Sequence, residues 1–543
     1  MTDGTIEAPR KRPTLENDET PNECGYAVAT KITAETTAEP GDIQRRVMIG
    51  TLWLTGWRML TRALGFVSLL ALTQLLMPAD FGLVALASAV SAAIESLSQL
   101  GVRDALVRLR ENAEDHFDAA FTFQAGRGLL TGLALAASSA TAAKWMGDAR
   151  LQPILVVLGV LTFIGGLENI GTVTLARRLD FRSQVLLQAG PRMLSVIVTI
   201  LLALWLRSYW ALIAGLAFSR VLTTACSYAV APHRPRLRLQ GWLYLLHFSA
   251  WSWAGSVAIL IWSRSDPFLI GPAVGPAVLG VYVIAAEVAL LPVTELIEPV
   301  SSALYVGFAM AHRTGTMARD VATRVAMAIA ICMAPIALGL SATSGYLAQS
   351  LLGSKWAGAQ PVIAILALLC VFSPFSYVCG TTLSAQGHIR RAFYCNGLAA
   401  ALKVTTLLTT LHLTHDLQVI AAITLAVVFV EACLFIWQIQ IVTPQRLHDL
   451  AGPALRTLVA GTTTMLALLF APGTWAPTEL PRLHAVLIGA ITGIAAVAAQ
   501  TALHAALWTA AGRPDGPERN LAELASRASA KIASRLSMLR RAT

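Results

Sequence analysis

The chain has 543 residues, of which 55% are hydrophobic and only 13% charged, about half the charged share of a soluble domain. That composition excludes an ordinary water-soluble protein. The net charge of +10 does not indicate nucleic acid, because Lys and Arg are spread over loops and tails instead of forming one patch; membrane lipids with anionic headgroups are the expected partner.

In chain order, residues 1–44 open with "MTDGTIEAPRKRPTLENDETPNE". They are polar, rich in Pro and Thr, and lack the apolar core of a signal peptide, which predicts a disordered cytoplasmic tail. From residue 48 to residue 508 apolar runs of roughly 20 residues recur, the length that crosses a hydrocarbon core of roughly 30 Å. Division at Pro, Gly and charged breaks predicts an all-α polytopic membrane protein of about 14 transmembrane helices. They lie at 48–76, 80–107, 118–141, 153–175, 185–206, 209–230, 250–273, 278–306, 321–343, 359–384, 392–412, 418–441, 454–471 and 483–508.

Alternate connections then fall on opposite sides. One set holds Arg103, Arg108, Arg110, Arg177, Arg178, Arg182, Arg234, Arg236, Arg238, Arg313, Arg319, Arg390, Arg391 and Arg446. The other holds little beyond Lys144, Arg150, Arg207, Lys355 and Arg482. Basic residues concentrate in cytoplasmic loops, so the first set and both termini are expected in the cytoplasm. Two segments are expected along the membrane surface: 241–253, with Trp242, Trp251 and Trp253, and the tail 513–543. In that tail Leu521, Leu524, Ala528, Ile532, Leu536 and Leu539 line up opposite Arg527, Lys531, Arg535 and Arg541.

The stretch "LTQLLMPADFGLVALASA" finds a partner in "LIGPAVGPAVLGVYVIAAE". A shift of 198 places Pro78 on Pro276, Ala79 on Ala277, Gly82 on Gly280 and Ala87 on Ala285. Six predicted helices separate the two joints, and an even number returns the chain to its starting side. The reading is two pseudo-symmetric six-helix lobes, 45–240 and 241–442, repeated in the same orientation. Two further helices follow in 443–512.

Charges occur inside the predicted spans. The first lobe carries Arg58, Arg62, Arg127, Arg192 and Arg220 against Glu95 and Glu168; the second carries Arg264 and Lys403 against Asp266, Glu287, Glu295, Glu298 and Glu431. A lipid-facing charge near the bilayer centre costs about 2.5–3.5 kcal/mol even on lenient scales, so the set is expected to face an internal wet cavity. Glu287, Glu295 and Glu298 fall within about 80° of one helical face. Guanidinium pairs bidentately with phosphate oxygens, which makes Arg58, Arg62, Arg127 and Arg220 candidates for a diphosphate. Asp266, Glu287, Glu295 and Glu431 are candidates for ion coupling, to H⁺ or Na⁺, or for latching the arginines. Glu95, Glu168, Arg192, Arg264 and Lys403 complete the cavity charges. Asn169, Thr172, Gln188, Gln74 and Thr55 are candidate sugar-bonding groups. Neither metal nor organic cofactor is expected: the seven cysteines lack ligand spacing and read as small packed hydrophobes.

Several blocks resemble a known family: "WRMLTRALGFVSLLALTQLLMPADFGLVALASAV", "LGVRDALVR", "LARRLDFRSQ", "SDPFLIGPAVGPAVLGVYVIAAEV", "LLGSKWAGAQPV" and "LSAQGHIRRAF". They resemble the Wzx-like oligosaccharide flippases of polysaccharide biosynthesis, in the multidrug/oligosaccharidyl-lipid/polysaccharide (MOP) exporter superfamily. The resemblance implies a V-shaped, MATE-like transporter in the bacterial inner membrane. It implies flipping of undecaprenyl diphosphate-linked oligosaccharide, with the polysaccharide polymerase machinery as a candidate partner. A lipid II flippase and a drug/cation antiporter share the fold. A membrane polymerase or ligase is the rival from another class, yet every outward connection is short. There is no Walker A sequence and no DxD pair, and His412 and His415 read as surface residues.

Overall fold

In hydrocarbon every backbone N–H and C=O must be satisfied within the protein, and all regular structure among the described residues is helical. The computed structural model describes residues 40–98, 117–177, 181–231, 233–236, 250–313, 321–444, 448–470 and 482–527. The helices are α1 (Pro40–Leu75), α2 (Pro78–Leu97), α3 (Phe117–Met146), α4 (Leu151–Gly166), α5 (Val173–Arg177), α6 (Phe181–Leu206), α7 (Trp210–Val230) and α8 (Ala250–Ala289). They continue as α9 (Glu298–Arg313), α10 (Val321–Tyr346), α11 (Ala359–Leu366), α12 (Leu369–Ala385), α13 (Ile389–Leu413), α14 (Leu417–Val442), α15 (His448–Phe470) and α16 (Arg482–Ala510). π-helical turns occupy Val293–Ile297 and Leu347–Leu352.

Seven helices are long and apolar enough to cross a membrane, or eight if α11 and α12, bent by 44°, form one span. The sequence expectation of about 14 is larger because it also admits helices interrupted by charge, such as α1 with Arg58 and Arg62 and α13 with Lys403. The first helix begins at Pro40, ahead of the expected 48, so part of the presumed tail is helical. Residues 1–39 lie outside the described residues. So do Trp242, Arg103, Arg108 and Arg110, and the tail beyond 527; a helix at 517–527 covers the start of the predicted surface stripe.

α3 packs on α4, α6 on α7 and α1 on α6, forming an N-terminal group. α8 packs on α13, α10 on α12, and α14 on both α12 and α13, forming a C-terminal group, while α15 and α16 pair with each other and with α10. The strongest link between the groups is α2 against α8. The main apolar core straddles it: Leu83 and Leu86 of α2 are packed with Leu135 and Leu155 of the first group and with Ile270, Leu279 and Trp356 of the second. Outward faces carry Leu130, Leu201, Trp205 and Ile494, all exposed, as lipid solvent requires.

The repeat read from sequence has a physical counterpart. A Cβ on Gly82 would collide with the Pro276 carbonyl oxygen, and one on Gly280 with the Pro78 carbonyl oxygen. The two joints therefore cross reciprocally, each glycine lying on the other's proline, which is the relation a two-fold axis between the repeats produces. Gly275, at φ +82°, breaks α8 ahead of Pro276, a conformation open to glycine because it has no Cβ.

Candidate functional site

Beside this crossing, the last turn of α1 and the loop after the second π turn cap each other. Helix C-termini leave carbonyls without intrahelical donors. Gln74 Nε2 donates to the carbonyls of Leu351 and Leu352, at 2.7 and 2.9 Å. In return Lys355 Nζ donates to the carbonyls of Gln74, at 3.0 Å, and of Leu76, and Trp356 Nε1 donates to Thr73 O at 3.0 Å. Trp356 is fully buried, with its ring edge-on to Phe81 at 5.4 Å. Desolvation pulls the Lys355 ammonium below its usual range, partly offset by the nearby Asp80 carboxylate. Within electrostatic reach of Asp80, Arg150 is bonded to Asp148 at 2.7 Å, which raises the arginine and lowers the acid.

Roughly 20 Å along α1 from Leu75, at 1.5 Å per residue, the groups meet again through one ion pair. Arg62 Nε lies 3.3 Å from Glu295 Oε1, with side chains 49% and 22% exposed. Glu295 occupies the π turn Val293–Ile297 and also accepts from Thr294 Oγ1 at 3.3 Å. π turns recur at functional sites because they displace a side chain from the regular helical face. This turn corrects the expectation that Glu287, Glu295 and Glu298 share one face: it interrupts the regular 100° step. Glu287 is exposed, Glu295 meets Arg62, and Glu298 accepts from Tyr377 Oη at 3.2 Å.

The C-terminal group holds an open, largely apolar cavity of about 820 Å³ with several polar groups in its lining, between α8, α9, α12, α13 and α14. At its base Lys403 Nζ lies 3.0 Å from both oxygens of Asp266, donates to Trp262 O at 3.0 Å, and sits 4.8 Å above the Trp262 ring. Tyr282 Oη donates to Asp266 at 3.3 Å. Glu431, buried, lies in the same lining. Glu298, Tyr305 and Tyr377 are exposed and form its mouth.

Of the predicted diphosphate set, Arg62 is paired with Glu295, and Arg127 lies within electrostatic reach of Glu95. Glu95 itself accepts from Ser91 at 2.7 Å and from Thr162 at 3.0 Å. Arg220 is exposed, its guanidinium packed on Gly165; the side chain of Arg58 lies outside the described residues. Arg192 and Arg264 are exposed on α6 and α8, and Glu168 is half-buried beyond α4. The four arginines are thus not gathered into one cluster by any described contact.

Three of the candidate sugar-bonding groups have structural duties instead. Asn169 is fully buried, accepting from Gly171 N and donating to His233 O at 2.8 Å. Thr172 donates to Asn169 O, and Gln74 belongs to the clasp with Leu351 and Leu352. Gln188 is exposed, and the Thr55 side chain is not among the described residues. Sequence reasoning passed over Tyr282, Tyr377 and Ser301, since aromatic and hydroxyl groups on apolar helices ordinarily read as packing or as self-bonded. Among the described residues no group of three His, Cys, Asp or Glu could hold a metal ion, and Cys226, Cys332, Cys370, Cys379, Cys395 and Cys433 are free thiols.

Comparison with known proteins places this geometry in context. The succinoglycan biosynthesis transport protein ExoT of Rhizobium meliloti is 27% identical over 322 residues, 58% of this chain and 65% of that one. The match thus spans slightly less than two thirds of ExoT. The lipopolysaccharide biosynthesis protein WzxC of Escherichia coli is 20% identical over 358 residues, 65% of this chain and 73% of its own. Among solved structures, an inward-facing multidrug resistance MATE family transporter of the MOP superfamily superposes with a TM-score of 0.55 at 16% identity, covering 76% of this chain and 96% of that one. That likeness establishes the MATE-like fold. The family described as "Polysaccharide biosynthesis protein" matches residues 71–361, more than half of the 543 residues, and with the multi-pass helical fold it identifies the chain as a Wzx-like member of that polysaccharide biosynthesis family.

Proposed function

We propose that the chain is a flippase, not an enzyme, that moves undecaprenyl diphosphate-linked oligosaccharide from the cytoplasmic to the outer leaflet of the inner membrane by alternating access. A lipid-linked oligosaccharide has a head too polar to cross hydrocarbon and a tail that stays in lipid, so only the head needs a wet path between two helix groups. The observation that carries the reading is the Arg62–Glu295 pair: a half-exposed guanidinium sits at the only ion pair between the groups among those described. A diphosphate competes with Glu295 for that guanidinium, bidentately and with more charge. Arg58, Arg127 and Arg220 would extend the anion path in the N-terminal group, and Glu295 would relatch Arg62 after release.

With both termini in the cytoplasm, the Gly82–Gly280 crossing and the Lys355 clasp close the outer side. The two lobes at 45–240 and 241–442 are the moving bodies of this reading, with 443–512 attached to the second. Asp266 and Glu431, against Lys403, supply the ion-coupling charge, for H⁺ or Na⁺. The polysaccharide polymerase machinery would receive the product. A second reading has one observation in its favour: the acid-rich cavity around Asp266, Glu298 and Glu431 would suit a cationic solute, as in a drug antiporter.

The test is flipping of a labelled undecaprenyl diphosphate oligosaccharide in proteoliposomes, with pH and Na⁺ gradients varied separately and an organic cation as the competing cargo. The Arg62→Ala plus Arg127→Ala double variant is expected to lose flipping at matched expression. Equal transport by that variant would refute the anion path, and extrusion of the cation alone would favour the second reading.

A further inference from the structure

We propose that the mouth of the C-terminal cavity is a saccharide-binding site, built for neutral or amino sugars and against acidic ones. It rests on the flippase reading and goes further, assigning the sugar and the diphosphate of one substrate to opposite helix groups. The cavity, about 820 Å³, falls within the roughly 300–1,000 Å³ typical of small-molecule sites.

Its walls offer acceptors. Ser302, Ser373, Thr381 and Ser384 each spend their proton on a carbonyl of their own helix, at 3.0, 2.8, 2.6 and 2.9 Å, which leaves the oxygen lone pairs to receive. Glu298 adds a carboxylate at the mouth, already oriented by Tyr377 Oη. A ligand that satisfies such a wall must bring many O–H donors, and a saccharide does. A diphosphate brings acceptors only.

Ser301 gives the independent observation. It is 6% exposed, lines the cavity, and its hydroxyl has no hydrogen-bond partner. A buried hydroxyl left unpaired is unfavourable, so a ligand that uncovers and bonds it gains a contact the protein does not supply. The rings of Tyr305 and Tyr377 in the same lining supply flat apolar surface for the C–H side of a sugar ring.

Charge sets the class of sugar. Asp266, Glu298 and Glu431 outnumber Lys403 in the lining, and Lys403 is already engaged by Asp266 and by Trp262 O. With Asp266 matched by Lys403, Glu298 and Glu431 remain as acidic groups in the lining; they disfavour a uronate by like-charge repulsion and do not disfavour an amino sugar or a neutral hexose.

The experiment uses the full chain in nanodiscs and three probes: bare undecaprenyl diphosphate, the same lipid bearing a neutral trisaccharide, and one bearing a glucuronate-containing trisaccharide. Wild type is expected to bind the neutral form about tenfold more tightly than the bare lipid, and the glucuronate form no better than the bare lipid. Ser301→Ala with Tyr377→Phe is expected to remove most of that tenfold preference while binding of bare lipid stays within about twofold. Because the Ser301 hydroxyl bonds nothing, Ser301→Ala alone should melt no lower than wild type, which separates lost binding from lost fold. An unchanged preference in the variants, or glucuronate bound as well as the neutral sugar, overturns the proposal. So does tetraphenylphosphonium binding that Glu298→Gln abolishes while trisaccharide binding persists. Wild type that binds none of the three lipids would instead sink the flippase reading itself.

Discussion

Around Gly82 and Gly280 the two helix groups meet backbone against backbone, whereas at Arg62 and Glu295 they meet through one ion pair with side chains 49% and 22% exposed. The first contact has no soft part: no rotamer change relieves a carbonyl pressed on a glycine, so it is either made or broken. The second joins long, part-exposed side chains, and exposed pairs of this kind contribute about 0–1 kcal/mol. The proposed alternating-access cycle, which opens one end at a time, needs this inequality. In the proposed cycle the crossing holds until a differential binding energy pulls it apart, while the ion pair parts for an anion that competes for Arg62.

The firmest way to break the comparison is at Trp356. It is fully buried, touches Phe81 and bonds Thr73 O across the two groups, so Trp356→Ala is expected to cost about 3–5 kcal/mol. The change is read as a lower melting temperature in detergent and as maleimide labelling of a cysteine placed near Met77. Unchanged labelling would mean that closure of the junction at Met77 does not depend on this contact.

Gly82→Ala and Gly280→Ala come next. Each adds one methyl group against a proline carbonyl, and overpacking of this kind costs about 1–3 kcal/mol. Because the contacts are reciprocal, the two variants should be equally destabilised, and the double variant should lose less than their sum, since one methyl already parts the helices. Fully additive losses in thermal unfolding would contradict a shared crossing point.

Removing the ion pair should do little to stability and much to transport. Arg62→Ala or Glu295→Gln is expected to change unfolding by under about 1 kcal/mol yet to reduce flipping severely. Exchange of the two, Arg62→Glu with Glu295→Arg, rebuilds the latch but moves the guanidinium to the other group. Flipping restored by the exchange would show that the pair acts only as a latch; flipping still lost assigns Arg62 to the substrate.

Much of this architecture can be read from residue order, and some of it cannot. The membrane class follows from composition, because lipid as solvent demands apolar faces. The repeat of Pro78 and Gly82 as Pro276 and Gly280 is legible in residue order, but that the two joints cross at these glycines is visible only in the structure. Arg62 and Glu295 are both conspicuous as embedded charges, but which acid meets which base depends on how two distant helices are rotated and on the π turn at Val293–Ile297, which no periodicity reveals. Asn169 was misread for a related reason: a polar residue in an apolar run looks like cavity lining, and its actual work, tying Gly171 and His233 together, appears only with the tertiary fold. Ser301 escapes notice because hydroxyls in membrane helices usually bond their own backbone, and its failure to do so is visible only in three dimensions.

The smallest expected effect lies at Lys355, where the sign can be worked out. Its ammonium caps the end of α1 at Gln74 O and Leu76 O, yet desolvation lowers its folded-state affinity for the proton below the ordinary 10.5. Between the lowered value and 10.5 the unfolded chain holds more protons than the folded one, so stability rises with pH across that alkaline window. Below the window the folded chain bears the unfavourable desolvation in full. Lys355→Gln keeps an N–H donor and removes the titration. It should therefore melt close to wild type at the alkaline end and lack the rise that separates wild type from it. Lys355→Met removes the donor as well, and should cost about 1 kcal/mol, because water at this exposed end takes up part of the capping. If wild type and Lys355→Gln run parallel through the whole alkaline range, the clasp is held by its geometry alone, and this junction owes its firmness to Gly82, Gly280 and Trp356 without help from charge.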